Sequence, residues 1–250
     1  MKFSVCLDAV YRGQDVAESM RSVQSAGIQA VEFWAWWNKD VESIRRTAEE
    51  TGINICAFCT KTASLTDETK REEYLQGLKE SLETAQALGC SRLISQVGNE
   101  RDDVPREEQH EHIVQGLKAC APLLEQADVT LLIEPLNTLV DHRGYYLYSS
   151  REAFQIVEET DSSHVRVLFD IYHQQITEGN LISRILENID KIGHFHAAGN
   201  PGRHEIDTGE IHYKNIFSEI DKTDYTGYTG LEYYPAEEPE QGLKRLTEMM

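Results

Sequence analysis

The sequence predicts an α/β protein whose 250 residues form a single closed (β/α)8 barrel, one domain over residues 1–250. Short apolar runs rich in β-branched and aromatic residues alternate with longer amphipathic segments, the pattern of strands followed by helices. Eight such pairs follow one another without a linker or low-complexity segment, and barrels of this kind are about this long. The alternative, an open doubly wound sheet, lacks the Gly-x-Gly-x-x-Gly that a dinucleotide-binding version carries after its first strand.

Glycines and polar residues mark the ends of the predicted elements. Gly27, Gly52 and Gly89 each follow a helical segment, where a helix end favours a residue that tolerates positive φ. Ser150 precedes a helical segment that contains Glu152, which predicts an N-cap at Ser150. The first strand opens the chain, the next three follow these glycines, and the last four end in or near an acidic residue or a histidine. The predicted strands are Phe3–Leu7, Ala30–Ala35, Asn54–Cys59, Leu93–Val97, Thr130–Glu134, Val165–Asp170, Ile192–Ala197 and Tyr228–Tyr233. The predicted helices cover residues 15–26, 40–51, 68–88, 107–127, 150–160, 180–189, 212–221 and 239–249.

Charge and composition exclude several classes of protein. Lysine and arginine number 24 against 43 acidic residues, and this net charge of −19 disfavours nucleic acid, whose phosphates need clustered cations. No apolar run reaches the ~18 residues of a membrane span, and the segment Met1–Leu7 lacks the features of a secretory leader. Cys56 and Cys59 lie at odd spacing in one strand, so their side chains are expected on opposite faces. With five cysteines in all, we predict reduced thiols and a cytoplasmic protein.

The barrel also predicts where functional side chains lie, because such barrels carry their sites at the carboxyl ends of the strands. Glu134 ends the fifth predicted strand, Asp170 ends the sixth, and Glu232 lies near the end of the eighth. His194 and His196 lie two residues apart near the end of the seventh, and therefore on the same face. Three carboxylates and one imidazole converging on one axis repel one another unless a cation neutralises them. The sequence therefore predicts one divalent metal ion, with Mg²⁺, Mn²⁺, Co²⁺ and Zn²⁺ left open.

Further polar and aromatic residues follow the strands at the same rim. His173 lies in the predicted loop after the sixth strand, where it can bind substrate or support a ligand. Arg203 lies in a Pro-Gly loop after the seventh strand, and its guanidinium is a candidate anchor for a substrate carboxylate. Lys61, after the third strand, is a second candidate. The tyrosine-rich segment Pro135–Ser149 is long for a connection, which favours a folded lid over the site. Candidates for an apolar pocket wall are Trp34, Trp36 and Trp37.

Three motifs in the second half of the chain match a known family. They are EPLN at residues 134–137, FDIYHQ at 169–174 and PGRHE at 201–205. With these motifs the chain resembles, over its whole length, the hydroxypyruvate isomerase family. That family belongs to the xylose-isomerase-like barrels, a group that also holds ketose 3-epimerases and 2-oxotetronate isomerases. The PGRHE stretch is the element that separates the hydroxypyruvate isomerase branch from the sugar epimerases.

The resemblance implies a role for each matching position. At residue 196 the chain departs from the bacterial hydroxypyruvate isomerases, which often carry glutamine there, whereas the epimerases carry histidine as this chain does. Both side chains can bind a divalent ion, so the departure concerns the substrate and leaves metal binding in place. The implied metal ligands are Glu134, Asp170, His196 and Glu232. The implied substrate contacts are His173 and Arg203, to which we add Glu205 and Lys61 as expected contacts.

The expected activity is isomerisation of a small hydroxy-keto acid, hydroxypyruvate to tartronate semialdehyde, by proton transfer through an enediolate. Glu134 and Glu232, on opposite sides of the metal ion, are expected to act as base and acid. A hydride shift is the mechanistic alternative. The expected partner is a small-molecule keto acid or sugar, with no nucleic acid and no membrane, and the family resemblance suggests a homo-oligomer.

Four other functions stay open at this point. A 2-oxotetronate isomerase or a ketose 3-epimerase would use the same ligands, and an epimerase would have a longer sugar pocket in place of a carboxylate anchor. A DNA-repair endonuclease on the same barrel is opposed by the net charge and by the single histidine in the ligand set. A non-catalytic barrel would bind metal without turnover.

Overall fold

Eight parallel strands close into a barrel in the computed structural model, which describes residues 1–249. Each strand pairs with its neighbours in chain order, and the eighth pairs with the first. The predicted (β/α)8 class is therefore confirmed, and each predicted strand overlaps an observed one. The strands are β1 (Lys2–Cys6), β2 (Ala30–Phe33), β3 (Asn54–Cys59), β4 (Arg92–Ser95), β5 (Thr130–Ile133), β6 (Val165–Asp170), β7 (Ile192–Ala197) and β8 (Tyr228–Leu231).

Helices follow every strand and pack around the barrel. The helices are α1 (Leu7–Val10), α2 (Val16–Ser25), α3 (Val41–Thr51), α4 (Arg71–Leu88), α5 (Arg106–Ala127), α6 (Ser150–Thr160), α7 (Ile171–Thr177), α8 (Leu181–Glu187), α9 (Tyr213–Ile220) and α10 (Pro239–Met249). Short 3₁₀ turns cover Glu68–Lys70 and Ile189–Lys191. The sequence did not predict α1 and α7, because both are short and each begins at the residue directly after a strand, with no connecting segment to mark the change. Across residues 1–249, none of the helices is long and apolar enough to cross a membrane.

The predicted helix ends are correct at the glycines and wrong by one residue at Ser150. Gly52 and Gly89 end α3 and α4 in the left-handed region, with φ of +71° and +64°. The residue that precedes α6 is Ser149, and Ser150 is the first residue of the helix. The hydroxyl of Ser150 donates to a carboxylate oxygen of Glu178 at 2.5 Å, so it is used in tertiary packing and does not cap the helix.

The hydrophobic core has two layers. The larger layer lies between the strands and the surrounding helices and contains, for example, Leu78, Leu117 and Ile156. A smaller layer fills the barrel itself, as is usual for this architecture. Ile94 belongs to this inner layer and also lines the cavity at the carboxyl ends of the strands, so the inner layer forms part of the cavity floor. The inner layer consists of Ala30, Cys56, Ala57, Ile94, Leu132 and Leu168.

A β-bulge in β3 overturns the prediction that Cys56 and Cys59 face opposite sides. Val31 of β2 pairs with Ile55, but the next residue of β2 pairs with Ala57, so Cys56 is an extra residue in the ladder. The bulge resets the alternation of side chains along the strand. Cys56 therefore contacts the buried Glu32 carboxylate, with Sγ 3.6 Å from Oε2, and Cys59 lines the same barrel-end cavity.

Thiol reactivity tests this packing. All five cysteines are free, and burial raises the pKa of each thiol, so little reactive thiolate is present at neutral pH. We expect iodoacetamide to alkylate the folded protein slowly and to modify five thiols per chain after unfolding in urea, as counted by mass spectrometry. Fast alkylation of several thiols in the folded protein would contradict the structure.

Candidate active site

Four side chains from four consecutive strands meet at the carboxyl end of the barrel. Glu134 follows β5, Asp170 ends β6, His196 lies in β7, and Glu232 follows β8. One potential ligand atom from each of these residues lies within 4.8 Å of the others, and all four residues are buried. They line or adjoin a cavity of about 290 Å³. We call these four residues the ligand quartet; the structure brings together the four positions that the sequence singled out.

The donor atoms of the quartet fit a divalent cation. Nδ1 of His196 lies 3.6 Å from Oε1 of Glu134 and 3.5 Å from Oε2 of Glu232. Within residues 1–249, Oε1 of Glu134 and Nδ1 of His196 are both buried without a hydrogen-bond partner. Buried polar atoms without partners are costly, and a cation with oxygen and nitrogen ligands would satisfy both. The residues present therefore fit a divalent metal ion.

Glu232 is the most strongly held carboxylate of the quartet. Nε1 of Trp34 donates to its Oε1 at 2.6 Å, and the Arg203 guanidinium pairs with its Oε2. Burial alone would raise the pKa of Glu232, but Arg203 and His196 outweigh it and hold the pKa well below its usual range. Trp34 is itself fixed, because its backbone N–H donates to Asp8 at 2.7 Å. Glu232 is therefore ionised and fixed in orientation.

Arg203 lies in the site, as the sequence predicted. Its guanidinium carbon is 5.2 Å from the ring centre of Tyr172 and 5.6 Å from that of Tyr234. In the described part of the chain the guanidinium makes one hydrogen bond, to Glu232, so several of its five N–H donors remain for a ligand. Its φ of +55° is uncommon for a residue other than glycine, and such conformations often persist at functional sites.

Asp170 begins a helix as well as belonging to the quartet. Its Oδ1 accepts hydrogen bonds from the backbone N–H groups of Tyr172 and His173 at 2.8 and 3.2 Å, which caps α7. Burial raises the pKa of Asp170 to about 7, although Arg203 opposes this. The sequence placed His173 in a loop; it lies in the first turn of α7, because this cap starts a helix directly after β6.

His173 presents an N–H group to the cavity. Its Nδ1 accepts from the backbone N–H of Asn137 at 3.3 Å and lies 2.7 Å from the side-chain nitrogen of the same residue. The ring proton is therefore on Nε2, which is buried, has no hydrogen-bond partner among residues 1–249 and lies 3.6 Å from Oδ2 of Asp170. Burial and the charge of Arg203 hold the pKa of His173 well below its usual range. His173 is thus a neutral hydrogen-bond donor.

The structure does not bring Lys61 and Glu205 to the cavity, contrary to expectation. The ammonium of Lys61 pairs with Glu80, which α4 places beside the end of β3, and lies 5.3 Å from the ring centre of Trp36, which follows β2. The carboxylate of Glu205 accepts from the backbone N–H of Ala236 at 3.1 Å. The first contact ties the segment after β3 to α4 and the second ties two loops together, and neither side chain lines the cavity.

The aromatic residues after the strands have mixed positions. Trp34 and Trp37 line the cavity, whereas Trp36 donates its indole N–H to Ser81 at 3.1 Å. The hydroxyl of Tyr145 donates to the carbonyl oxygen of Glu134 at 3.1 Å, and Tyr145 is buried. The segment 135–149 is therefore folded, and its Leu136 and His142 line the cavity as a lid would. Its tyrosines do not line the cavity, because Tyr145 and Tyr146 are buried in the protein, so the lid is not tyrosine-rich as we expected.

Sequence reasoning missed one buried charge next to the quartet. Glu32 lies in β2 and is 1% exposed, with Oε2 2.8 Å from Nε2 of His194 and Oε1 3.0 Å from Nε2 of His196. Burial would raise the pKa of Glu32, but the two histidines outweigh it and lower the pKa to about 2. Conversely, Glu32 and Glu232 overcome burial to raise the pKa of His196 well above its usual range. The sequence did indicate a buried charge at this position, because Glu32 is an acidic residue inside the otherwise apolar strand AVEF.

Metal addition should stabilise the folded protein, because a cation would relieve the repulsion among the buried carboxylates. At a Mn²⁺ concentration about 100 times the Kd, binding contributes ~2.7 kcal/mol. For a chain of this size that corresponds to a rise in Tm of about 5–11 °C, measurable by calorimetry and reversed by EDTA. The Asp170→Asn variant should show a smaller rise. A Tm that does not respond to Mn²⁺, Mg²⁺, Co²⁺ or Zn²⁺ would contradict the metal site.

Comparisons with known proteins agree with this architecture. Residues 20–250 match the family model of the xylose isomerase-like TIM barrel. The chain is 30% identical to hydroxypyruvate isomerase of Escherichia coli K12, over 98% of this chain and 97% of that protein. It is 29% identical to 2-oxo-tetronate isomerase of Cupriavidus necator, over 97% of this chain and 96% of that protein.

A solved structure is also similar over the full length. It is that of AP endonuclease, family 2, from Brucella melitensis, with a TM-score of 0.93, 26% identity and coverage of 99% of both chains. The predicted enzyme class, an isomerase, is confirmed by the curated relatives. The family-model match and these relatives cover nearly all of the sequence. The chain therefore belongs to the xylose isomerase-like TIM barrel family.

Proposed function

We propose that the protein is a metal-dependent isomerase of a small hydroxy-keto acid, acting as one catalytic domain over residues 1–250. The substrate that fits best is hydroxypyruvate, converted to tartronate semialdehyde. One observation carries the assignment: a guanidinium with free donors and a neutral imidazole N–H lie in the same cavity as the ligand quartet. The names of the relatives from Escherichia coli and Cupriavidus necator support a keto acid as the substrate class.

The ligand quartet would hold the metal ion. Bound there, a divalent cation polarises the carbonyl and hydroxyl oxygens of the substrate and stabilises negative charge that develops on them. Arg203 would bind the substrate carboxylate through the donors that Glu232 does not use, in the two-pronged geometry that guanidinium and carboxylate favour. The aromatic rings of Tyr172 and Tyr234 keep the guanidinium in place during this contact.

Glu134 is the better placed of the two glutamates to remove the carbon-bound proton. Its Oε1 has no hydrogen-bond partner among the described residues, whereas both oxygens of Glu232 accept strong hydrogen bonds. We assign the removal of a proton from C3 of hydroxypyruvate, and its return at C2, to Glu134. Glu232 would accept the hydroxyl proton from O3 and return it to O2, while His173 donates its Nε2–H to a substrate oxygen. No hydride shift is needed for this sequence.

An NMR experiment in D₂O tests this function. Hydroxypyruvate is incubated with the protein and Mg²⁺ or Mn²⁺, and again with EDTA. The expected result is tartronate semialdehyde that carries deuterium at C2, formed only when metal is present. Conversion without any deuterium would favour a hydride shift. The absence of conversion would overturn hydroxypyruvate as the substrate, and 2-oxotetronate and the free ketoses would be tested next.

The likeness to the AP endonuclease structure supplies a second candidate, phosphodiester cleavage in DNA. The net charge of −19 opposes it, and so does a quartet with three carboxylates and a single histidine. An assay on a duplex with one abasic site distinguishes the two. We expect no metal-dependent cleavage at protein concentrations that isomerise the keto acid fully.

A further inference from the structure

We propose that Glu32 is a positioning residue for the metal site: it holds His196 so that Nδ1, and not Nε2, faces the other members of the ligand quartet. The inference rests on the proposed function, because it concerns how this chain prepares its own histidine for a metal ion. No role was expected for Glu32 from the sequence, and it is not a member of the quartet.

The His196 ring lies between two sets of carboxylates. On one side, Oε1 of Glu32 is 3.0 Å from Nε2. On the other side, Nδ1 is 3.5 Å from Glu232 and 3.6 Å from Glu134. Within residues 1–249, neither Oε1 of Glu32 nor Nε2 of His196 has a hydrogen-bond partner, so the 3.0 Å contact between them is a charge contact whose angles do not meet those of a hydrogen bond. The two atoms still face each other, and no other group competes for either of them.

Glu32 is held in place through its second oxygen. Nε2 of His194 lies 2.8 Å from Oε2, the hydroxyl of Ser4 donates to it at 3.4 Å, and the thiol of Cys56 lies 3.6 Å from it. These anchors come from three strands, β7, β1 and β3. Because they all use Oε2, they fix the carboxylate and leave Oε1 directed at His196.

Gly230 supplies the space that this arrangement needs. A Cβ atom at position 230 would lie 1.9 Å from Oε1 of Glu32 and 2.7 Å from Cδ2 of His196. Neither group could stay where it is, since side-chain atoms do not approach one another so closely. The absence of a side chain at position 230 is therefore required by the contact between Glu32 and His196.

The chemical consequence concerns the proton on the imidazole. An ionised carboxylate can only accept hydrogen bonds, so the nitrogen that faces Glu32 keeps a proton. A metal ion at the quartet would displace the proton from the other nitrogen, Nδ1, and bind its lone pair. Carboxylates in this position behind a ligating histidine fix the ring and increase its basicity. Without Glu32, the ion-pair contacts of His196 in the described residues would be those of Nδ1 with Glu134 and Glu232, and no carboxylate would hold the proton on Nε2.

A different reading is that Glu32, Cys56 and His194 hold a second metal ion, since their donor atoms also lie within 4.8 Å of one another. The 2.8 Å contact between Glu32 and His194 is already a good hydrogen bond, which favours the positioning role. Binding stoichiometry separates the two. A second equivalent of Zn²⁺ that is lost in Cys56→Ser would overturn our proposal.

The experiment compares Mn²⁺ affinity in the wild type, Glu32→Gln, Glu32→Asp and a matched control, by electron paramagnetic resonance of the free ion. The control is Glu152→Gln, which alters a partly buried carboxylate that pairs with Arg106 and does not line the cavity. We expect roughly 10- to 100-fold weaker Mn²⁺ binding in Glu32→Gln, partial recovery in Glu32→Asp, and wild-type affinity in the control. Equal affinity in Glu32→Gln and the wild type would overturn the positioning role alone.

A second measurement needs no variant. Long-range ¹⁵N–¹H correlation spectra of the Zn²⁺-loaded wild type, labelled at histidine, report which nitrogen of His196 binds the ion. The expected spectrum shows metal at Nδ1 and a proton at Nε2, and coordination through Nε2 would overturn the proposal. If Glu32→Gln fails to fold, this spectrum of the wild type decides by itself, because Gly230→Ala would displace His196 as well as Glu32. A wild type that binds no metal would overturn the metal site itself, which separates that failure from this one.

Discussion

Replacing Glu134 with glutamine is expected to lower kcat for hydroxypyruvate by about 10²–10⁴-fold, the usual contribution of a positioned proton-transfer group. Glutamine keeps an oxygen that can still bind a metal ion but cannot accept the C3 proton. Oε1 of Glu134 has no hydrogen-bond partner among the described residues, and it is the oxygen to which we assign proton removal. The measurement is the rate of tartronate semialdehyde formation by NMR, together with the rate at which solvent deuterium enters the substrate.

The controls separate proton transfer from metal binding. Mn²⁺ affinity is measured in parallel, and the rates are compared at saturating metal. Glu152→Gln again serves as the matched variant, because it alters a carboxylate in the Arg106 ion pair outside the cavity. A Glu134→Gln protein that binds Mn²⁺ and exchanges deuterium at the wild-type rate would show that another group removes the proton.

Replacing Arg203 with lysine should lower kcat/KM for hydroxypyruvate roughly 30- to 5,000-fold. This corresponds to a loss of about 2–5 kcal/mol in transition-state stabilisation. Lysine keeps the positive charge but loses the planar donor pair that grips a carboxylate. It would also leave Glu232 with a weaker partner than the present guanidinium. The loss should be mainly in KM, since the carboxylate is not a reacting group, and steady-state kinetics on purified protein measures it.

A second substrate and a second arginine make this prediction specific. A free ketose has no carboxylate, so its slower turnover, where present, should change much less in Arg203→Lys. Arg106 offers a matched substitution, because its guanidinium also lies over a tyrosine ring, 4.1 Å from the centre of Tyr146. Arg106→Lys should leave KM for hydroxypyruvate unchanged. Equal losses for keto acid and ketose in Arg203→Lys would favour the epimerase alternative.

The strand ends were predictable because two signals agree there. Apolar runs that finish in Glu134 or Asp170 define both the strand and the direction in which its last side chain points. A parallel barrel then brings these ends together without any knowledge of the loops. The same reasoning failed for Lys61 and Glu205, because a residue just beyond a strand can turn toward the cavity or toward a neighbouring helix. Lys61 turns away from the cavity because it pairs with Glu80, and Glu205 does so because it accepts from the backbone of Ala236. The sequence does not show where either partner lies.

The remaining errors have a local physical cause. The bulge at Cys56 inserts one residue into a strand and reverses the expected alternation, and no side chain in the sequence marks it. Glu32 was missed because its partners, His194 and His196, are more than 160 residues away in the chain. Contacts at that separation form only when the barrel closes. Hydrophobic patterning predicts the closed barrel but not which side chains meet inside it. We predicted a loop at His173, but the residue lies in a helix. The carboxylate of Asp170 caps this helix, which is too short to show a helical period in the sequence.

Because β1 pairs with β8, the candidate metal site depends on the complete, closed barrel. The ligand quartet comes from the second half of the chain, but Glu32 and Trp34, which orient two of its members, come from the first half. A fragment that starts at β5 would contain every ligand and lack both of these supports. During folding, tight metal binding should therefore appear only after the last strand has joined the first. The bound ion would then hold the ring closed, because opening the seam would separate the quartet from the side chains that orient it.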